Sequence, residues 1–212
     1  MFGPEWRKAA TLIEGVENRV GVENSALRWT MRESHLAMIS ECSGKISDPS
    51  PGVPAYVVFY EDGGVSLSSH FNHGLAQNPS PDVPCEIAYF QSGLVKRTQF
   101  CVNGRQNDPA DGIPAIVEYH PEGMVKCISH FKDGNLIVPP DESPAYIEYN
   151  KDGTVHHGLL PNGVELTAEE ANAMIAEARI NECKKLLGPA VVLAKSSCVV
   201  ASGARKPRPR TL

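Results

Sequence analysis

Five series of residues recur in this chain at one spacing, every 30 positions. Prolines stand at Pro49, Pro79, Pro109 and Pro139, and again at Pro54, Pro84, Pro114 and Pro144. Glycines stand at Gly44, Gly74, Gly104 and Gly134, and at Gly63, Gly93, Gly123 and Gly153. Val65, Val95, Val125 and Val155 complete the set. A chain with one fixed period folds as copies of a single supersecondary unit, each covering its neighbour.

The unit reads as a β-hairpin. Its first arm sets Val57/Phe59, Ile87/Tyr89, Val117/Tyr119 and Ile147/Tyr149 two residues apart, on one face of a strand. These residue types favour strands. Asp62-Gly63, Ser92-Gly93, Glu122-Gly123 and Asp152-Gly153 put glycine where a tight turn needs positive φ. The second arm alternates again and places Val65, Leu67 and Phe71, or Val125, Cys127 and Phe131, on one side. His73-Gly74, Asn103-Gly104 and Asp133-Gly134 form a second turn. The connector that follows is too rich in Pro and Gly for a central strand.

One hairpin is marginal in water, so units must pair edge to edge. Leu27, Trp29 and Met31 fall where a first arm would lie, which extends the repeat backwards. The fold expected is mainly β, α+β overall: an elongated antiparallel sheet of about five hairpin repeats. Its units run 24–53, 54–83, 84–113, 114–143 and a shortened 144–165, flanked by a helix at either end.

The N-terminal helix lies within residues 1–23, where Trp6, Ala9, Ala10, Ile13 and Val16 follow helical spacing behind Pro4. The C-terminal helix spans 166–188. Thr167 and Glu170 form a capping box, Ala173, Ala176, Ile180, Cys183 and Leu187 an apolar stripe, and Gly188-Pro189 a stop. Both helices are natural covers for the apolar face and edges of a sheet, or docking elements for a partner or a second copy. Residues 189–212 carry five basic side chains and no acid, a basic and flexible tail.

Residues 54–166 hold 14 acidic and 6 basic side chains. An acidic body repels a phosphate backbone, so direct nucleic-acid binding is expected only through the tail. No apolar run approaches the roughly 18 residues of a membrane span, and the first residues carry no signal-peptide core. No membrane association is expected, and the location reads as cytoplasmic. The six cysteines are scattered without a CxxC pair and read as free thiols in a reducing compartment.

The sequence carries few marks of chemistry. Cys127-Ile128-Ser129-His130 and His156-His157 lack the second half of a zinc site. His70 and His130 share one repeat position, which favours a structural role over a metal. No GxSxG, P-loop or HExxH occurs. Cys85 and Cys101 stand where other units carry Ala and Phe, and read as buried small residues. No catalytic residue, metal or cofactor is assigned, and the chain is not expected to be an enzyme. An enzyme with a Cys/His site is the third-ranked alternative; it needs a cleft that no spacing displays.

Gly112-Ile113-Pro114-Ala115-Ile116-Val117-Glu118-Tyr119 and Ser143-Pro144-Ala145-Tyr146-Ile147-Glu148-Tyr149 resemble the MORN-type tandem hairpin repeats and their bacterial, antitoxin-like variants. The resemblance covers residues 24–165. It departs in its longer period and sparser glycines. It implies an elongated twisted sheet with a non-enzymatic binding or scaffolding role.

The function expected is therefore a protein-binding adaptor or inhibitor of antitoxin, immunity or counter-defence type. Its partner is another protein, basic or nucleic-acid-handling, met by the acidic repeat surface. His70, His130, Glu118 and Glu148 are the candidate contacts among exposed arm positions. Tyr89, Tyr119 and Tyr149 form, with Phe59, an aromatic ladder that either packs under a helix or meets a ligand. The rival reading is a structural protein that assembles as a homo-oligomer through exposed strand edges.

Overall fold

The computed structural model of the chain describes residues 25–32, 35–110 and 112–187. The helix expected within residues 1–23 and the tail 189–212 lie outside them. Eleven strands follow one another, each beside its sequence neighbours, in a single open antiparallel sheet. In chain order they are β1 (Ser25–Arg32), β2 (His35–Cys42), β3 (Tyr56–Phe59), β4 (Val65–Ser69), β5 (Glu86–Tyr89) and β6 (Val95–Gln99). Then come β7 (Ile116–Tyr119), β8 (Val125–Ser129), β9 (Tyr146–Tyr149), β10 (Val155–Leu159) and β11 (Glu165–Thr167), followed by one helix, α1 (Ala168–Leu187). A short strand, Lys45–Ile46, also pairs with the end of β2. The architecture is thus mainly β with one described helix.

The turns are those the glycines specify. The Tyr60 carbonyl accepts from Gly63 N at 2.9 Å, and Tyr60 N donates to Gly64 O at 2.7 Å. Gly63 takes φ 89°, a left-handed conformation that a Cβ would strain. The same geometry returns at Gly93, Gly123 and Gly153. Each of these turns carries a bulge. Val58 faces Leu67, but Phe59 faces Val65, so Ser66 has no counterpart.

That slip corrects the second-arm pattern. Val65 and Leu67, expected on one side, fall on opposite faces, as do Val125 and Cys127. Phe71 and Phe131 leave the sheet altogether. They open separate two-residue hairpins, closed by His73-Gly74 and Asp133-Gly134, with positive φ at both central residues. These small hairpins stack on one another: Gly74 N donates to Ile46 O, Gly104 N to Ala76 O and Gly134 N to Gln106 O.

One face of the sheet carries Met38, Val57, Ser68, Ile87, Thr98, Val117, Ile128, Ile147 and Gly158 in register. Phe59, Tyr89, Tyr119 and Tyr149 lie on this same face. They do not stack ring on ring, because a valine strand separates successive aromatics and sets them roughly 10 Å apart. Met38, Val57 and Phe59 are buried as one cluster, and Ile147, Val155 and Ala171 as another. Between the two, Ile87, Tyr89, Val117 and Tyr119 are half-buried.

Helix α1 builds the second cluster. Its capping box forms as the sequence predicts: Glu170 N donates to Thr167 Oγ1, and the Glu170 carboxylate accepts from Thr167 N and its hydroxyl. The buried face is a correction, however. Ala171 and Ala178 are buried and Met174 and Ile175 half-buried, whereas Ala173, Ala176 and Ile180 are exposed. β11 runs straight into the cap at Thr167, which fixes the rotation of the helix. Ala171 therefore lands on Gly158, where a Cβ would stand 3.2 Å from the Ala171 Cβ and 3.2 Å from Tyr146 O.

The cysteines bring a further correction. Cys85 and Cys101 are joined in a disulfide, with Cα atoms 5.6 Å apart, so they are not free thiols. Among the described residues with defined burial, Cys42 and Cys127 are free. Among the described residues, no helix is long and apolar enough to cross a membrane.

Candidate functional site

The seven positions singled out as partner contacts do not form one surface. His70 and His130, expected exposed, are 8% and 3% accessible. Each is held inside by its own unit. His70 Nδ1 lies 2.7 Å from Asp48 Oδ2, and His130 Nδ1 lies 2.7 Å from Asp108 Oδ2. The other carboxylate oxygen of each Asp accepts two backbone N–H groups: Ala55 and Phe71 for Asp48, Ala115 and Phe131 for Asp108. The pair is a latch that ties the connector to the kink after the second arm. These imidazoles are buried within their own units, not on an exposed arm position.

Strand alternation separates the rest. Tyr119 and Glu118 are neighbours in sequence and so point to opposite sides of the sheet. Tyr89, Tyr119 and Tyr149 stand on the helix side, Glu118 and Glu148 on the other. The two glutamates come together with further polar groups.

On their face a single cross-strand row runs Val58, Leu67, Ala88, Arg97, Glu118, Cys127, Glu148, His157 and Thr167. It is apolar as far as Ala88 and polar beyond, apart from the Cys127 thiol. Glu118 and Glu148 face Cys127 from either side. Their side chains are 37% and 27% exposed. Lys126 Nζ lies 3.7 Å from Glu118 Oε2, and His157 Nδ1 lies 3.4 Å from Glu148 Oε2. The Tyr146 hydroxyl donates to Glu148 at 3.4 Å. Arg97 approaches Glu86 at 3.8 Å and hydrogen-bonds Gln99, while its Nε is buried without a partner among the described residues.

The electrostatics argue against a nucleophile here. Burial, and then the Glu118 charge, push the Cys127 thiol up to about 11, so it is neutral at physiological pH. Reactive cysteines sit in electropositive surroundings that stabilise the thiolate, and this one faces carboxylates. Burial together with Cys127 and Glu148 likewise raises Tyr146. Among the described residues no group of three or more His, Cys, Asp or Glu is placed to hold a metal ion. What the row offers is a half-open acidic surface with hydrogen-bonding neighbours.

Arg97, Cys127, Tyr146 and His157 escaped the sequence reading as a group. One signal could have found them. The repeat keeps valine at 65, 95, 125 and 155, yet two residues on it varies as Leu67, Arg97, Cys127 and His157. In a repeat fold the unvarying positions build the scaffold, and the varying ones on a shared face are free to specialise. The chain matches no family model, no curated protein and no solved structure.

Proposed function

We propose that this protein is a non-enzymatic, protein-binding adaptor or inhibitor of MORN-like repeat design. It takes a basic segment of its partner against Glu118 and Glu148. The observation that carries the reading is the placement of these two half-exposed carboxylates on either side of an uncharged thiol, in one cross-strand row. Two parallel-facing acids of this kind suit an arginine or lysine side chain of a partner, and charge-assisted hydrogen bonds supply the specificity. Residues 54–166 as a whole carry 14 acidic and 6 basic side chains, a balance that suits a basic partner. A nucleic-acid-handling enzyme, whose own site is basic, is the kind of target this surface would block.

The test is charge reversal. Glu118→Lys with Glu148→Lys should abolish co-precipitation of a basic partner while circular dichroism stays unchanged. Wild-type binding should weaken steeply with added salt. Undiminished affinity of the double variant rules the reading out.

A further inference from the structure

The two carboxylate latches tie the same pair of repeat positions. Asp48 holds the N–H groups of Ala55 and Phe71, and Asp108 those of Ala115 and Phe131. Each pair brackets one hairpin of the sheet. The alanine stands just before the first arm, and the phenylalanine two residues after the second. Thirty positions on from Ala55 and Phe71 stand Cys85 and Cys101, the two residues joined in a disulfide. They bracket β5 and β6, and of these three hairpins this is the one with Asn78 in place of the aspartate and Phe100 in place of the histidine. Where the ionic latch is missing, a covalent bond joins the positions that the latch would tie.

We propose that the Cys85–Cys101 bond is the redox-sensitive counterpart of the latch. It makes β5–β6 the joint of the array that loosens in reducing surroundings, while β3–β4 and β7–β8 stay closed. An Asp–His pair has no bond that a reductant can break, and a disulfide has. The bond closes the open end of its hairpin, opposite the Gly93 turn. Cys101 also opens a small hairpin, pairing with Gln106, and its carbonyl accepts from Asn78 N at 3.1 Å. The disulfide thus fastens the main sheet to the stack of small hairpins at the middle of the array. After reduction that junction rests on hydrogen bonds alone, among them Cys101 N to Asn78 Oδ1.

The chemistry is thiol–disulfide exchange with a dithiol. One thiolate of the reductant attacks a cysteine sulfur, and its second thiol resolves the mixed disulfide. One S–S bond breaks in the protein and one forms in the reductant. Two electrons and two protons pass to Cys85 and Cys101. Both cysteines are buried, so the exchange waits on local opening of the hairpin. The inference does not depend on the function of the Glu118–Glu148 surface.

Peptide mapping of the full chain without reductant should recover Cys85 and Cys101 as one linked pair. Hydrogen exchange read by mass spectrometry, before and after incubation with dithiothreitol, then tests the joint. Reduction should quicken exchange over residues 77–106 roughly ten- to hundredfold, and over 47–72 and 107–132 by less than about threefold. Cys85→Ala with Cys101→Phe should exchange at a rate that dithiothreitol does not alter. Adding Asn78→Asp and Phe100→His to that variant rebuilds the carboxylate latch and should bring back slow exchange, again indifferent to dithiothreitol. The wild-type comparison decides the matter even if the four-residue variant fails to fold. Absence of the linked pair overturns the inference, as does exchange that reduction leaves unchanged or quickens equally in all three hairpins. So does a dithiothreitol response that survives Cys85→Ala with Cys101→Phe, or a folded four-residue variant no better protected than that double variant.

Discussion

His130 and Asp108 meet at 2.7 Å inside the protein, and His70 and Asp48 repeat the contact 60 positions earlier. The intervening unit carries neither residue. Asn78 stands at the aspartate position and Phe100 at the histidine position, and Asn78 Oδ1 still accepts from Cys101 N at 2.8 Å. Both members of the pair change together, which keeps the backbone acceptor and removes the charge with its partner. Asp108→Ala should therefore cost about 3 kcal/mol, since it strips two backbone donors and the imidazole of their acceptor. The double change Asp108→Asn with His130→Phe should cost less than half as much, because the middle unit already folds that way. Urea unfolding of the single and double variants checks this; a double variant as unstable as the sum of its singles would refute the latch.

Gly158 should be irreplaceable for a packing reason. Gly158→Val should destabilise by about 1–3 kcal/mol, as overpacking does in a tight contact. Thermal unfolding measures the loss, and Ala171→Gly in the same chain should recover part of it. No recovery would mean that the helix does not rest on this strand.

Cys127 makes a prediction with a definite sign. Its folded thiol sits at about 11 against an ordinary 9.0. A raised acid contributes stability that is full below pH 9 and is lost as pH climbs toward 11. Wild type should thus lose more stability than Cys127→Ala over that window. In alkylation mapped by mass spectrometry, Cys127 should also react slowly at pH 8 and accelerate only above about pH 10. Rapid alkylation at pH 7 would contradict the account of this site.

The left-handed residues of the small hairpins offer a stabilising change. His73 holds φ 48° where the next unit has Asn103 at φ 50°. Asn tolerates this region better than other non-glycine residues. His73→Asn should raise stability by roughly 0.5 kcal/mol in chemical denaturation. A measurable loss would show that the His73 side chain has a role beyond the turn.

Much of this protein was legible in its sequence because the governing physics is local. Glycine at 63 and its equivalents needs only the turn itself to demand positive φ. The capping box of Thr167 and Glu170 closes within four residues. The 30-residue period decides that hairpins must pair side by side, since a lone hairpin cannot bury its apolar face.

What tertiary structure alone decided are matters of facing and meeting. The bulge after Val58 and its equivalents reverses the second arm's faces, and a slip of one residue is invisible to an alternation count. Cys127 therefore joins Glu118 and Glu148 instead of the valines. Helix α1 carries two stripes of acceptable spacing, and the cap on β11 with the gap over Gly158 chose Ala171 over Ala173. Cys85 and Cys101 meet because the second arm folds back on the first. His70 and His130 are buried because a connector 22 residues away supplies their carboxylates. Local spacing carries no information about which distant groups a folded chain brings into contact.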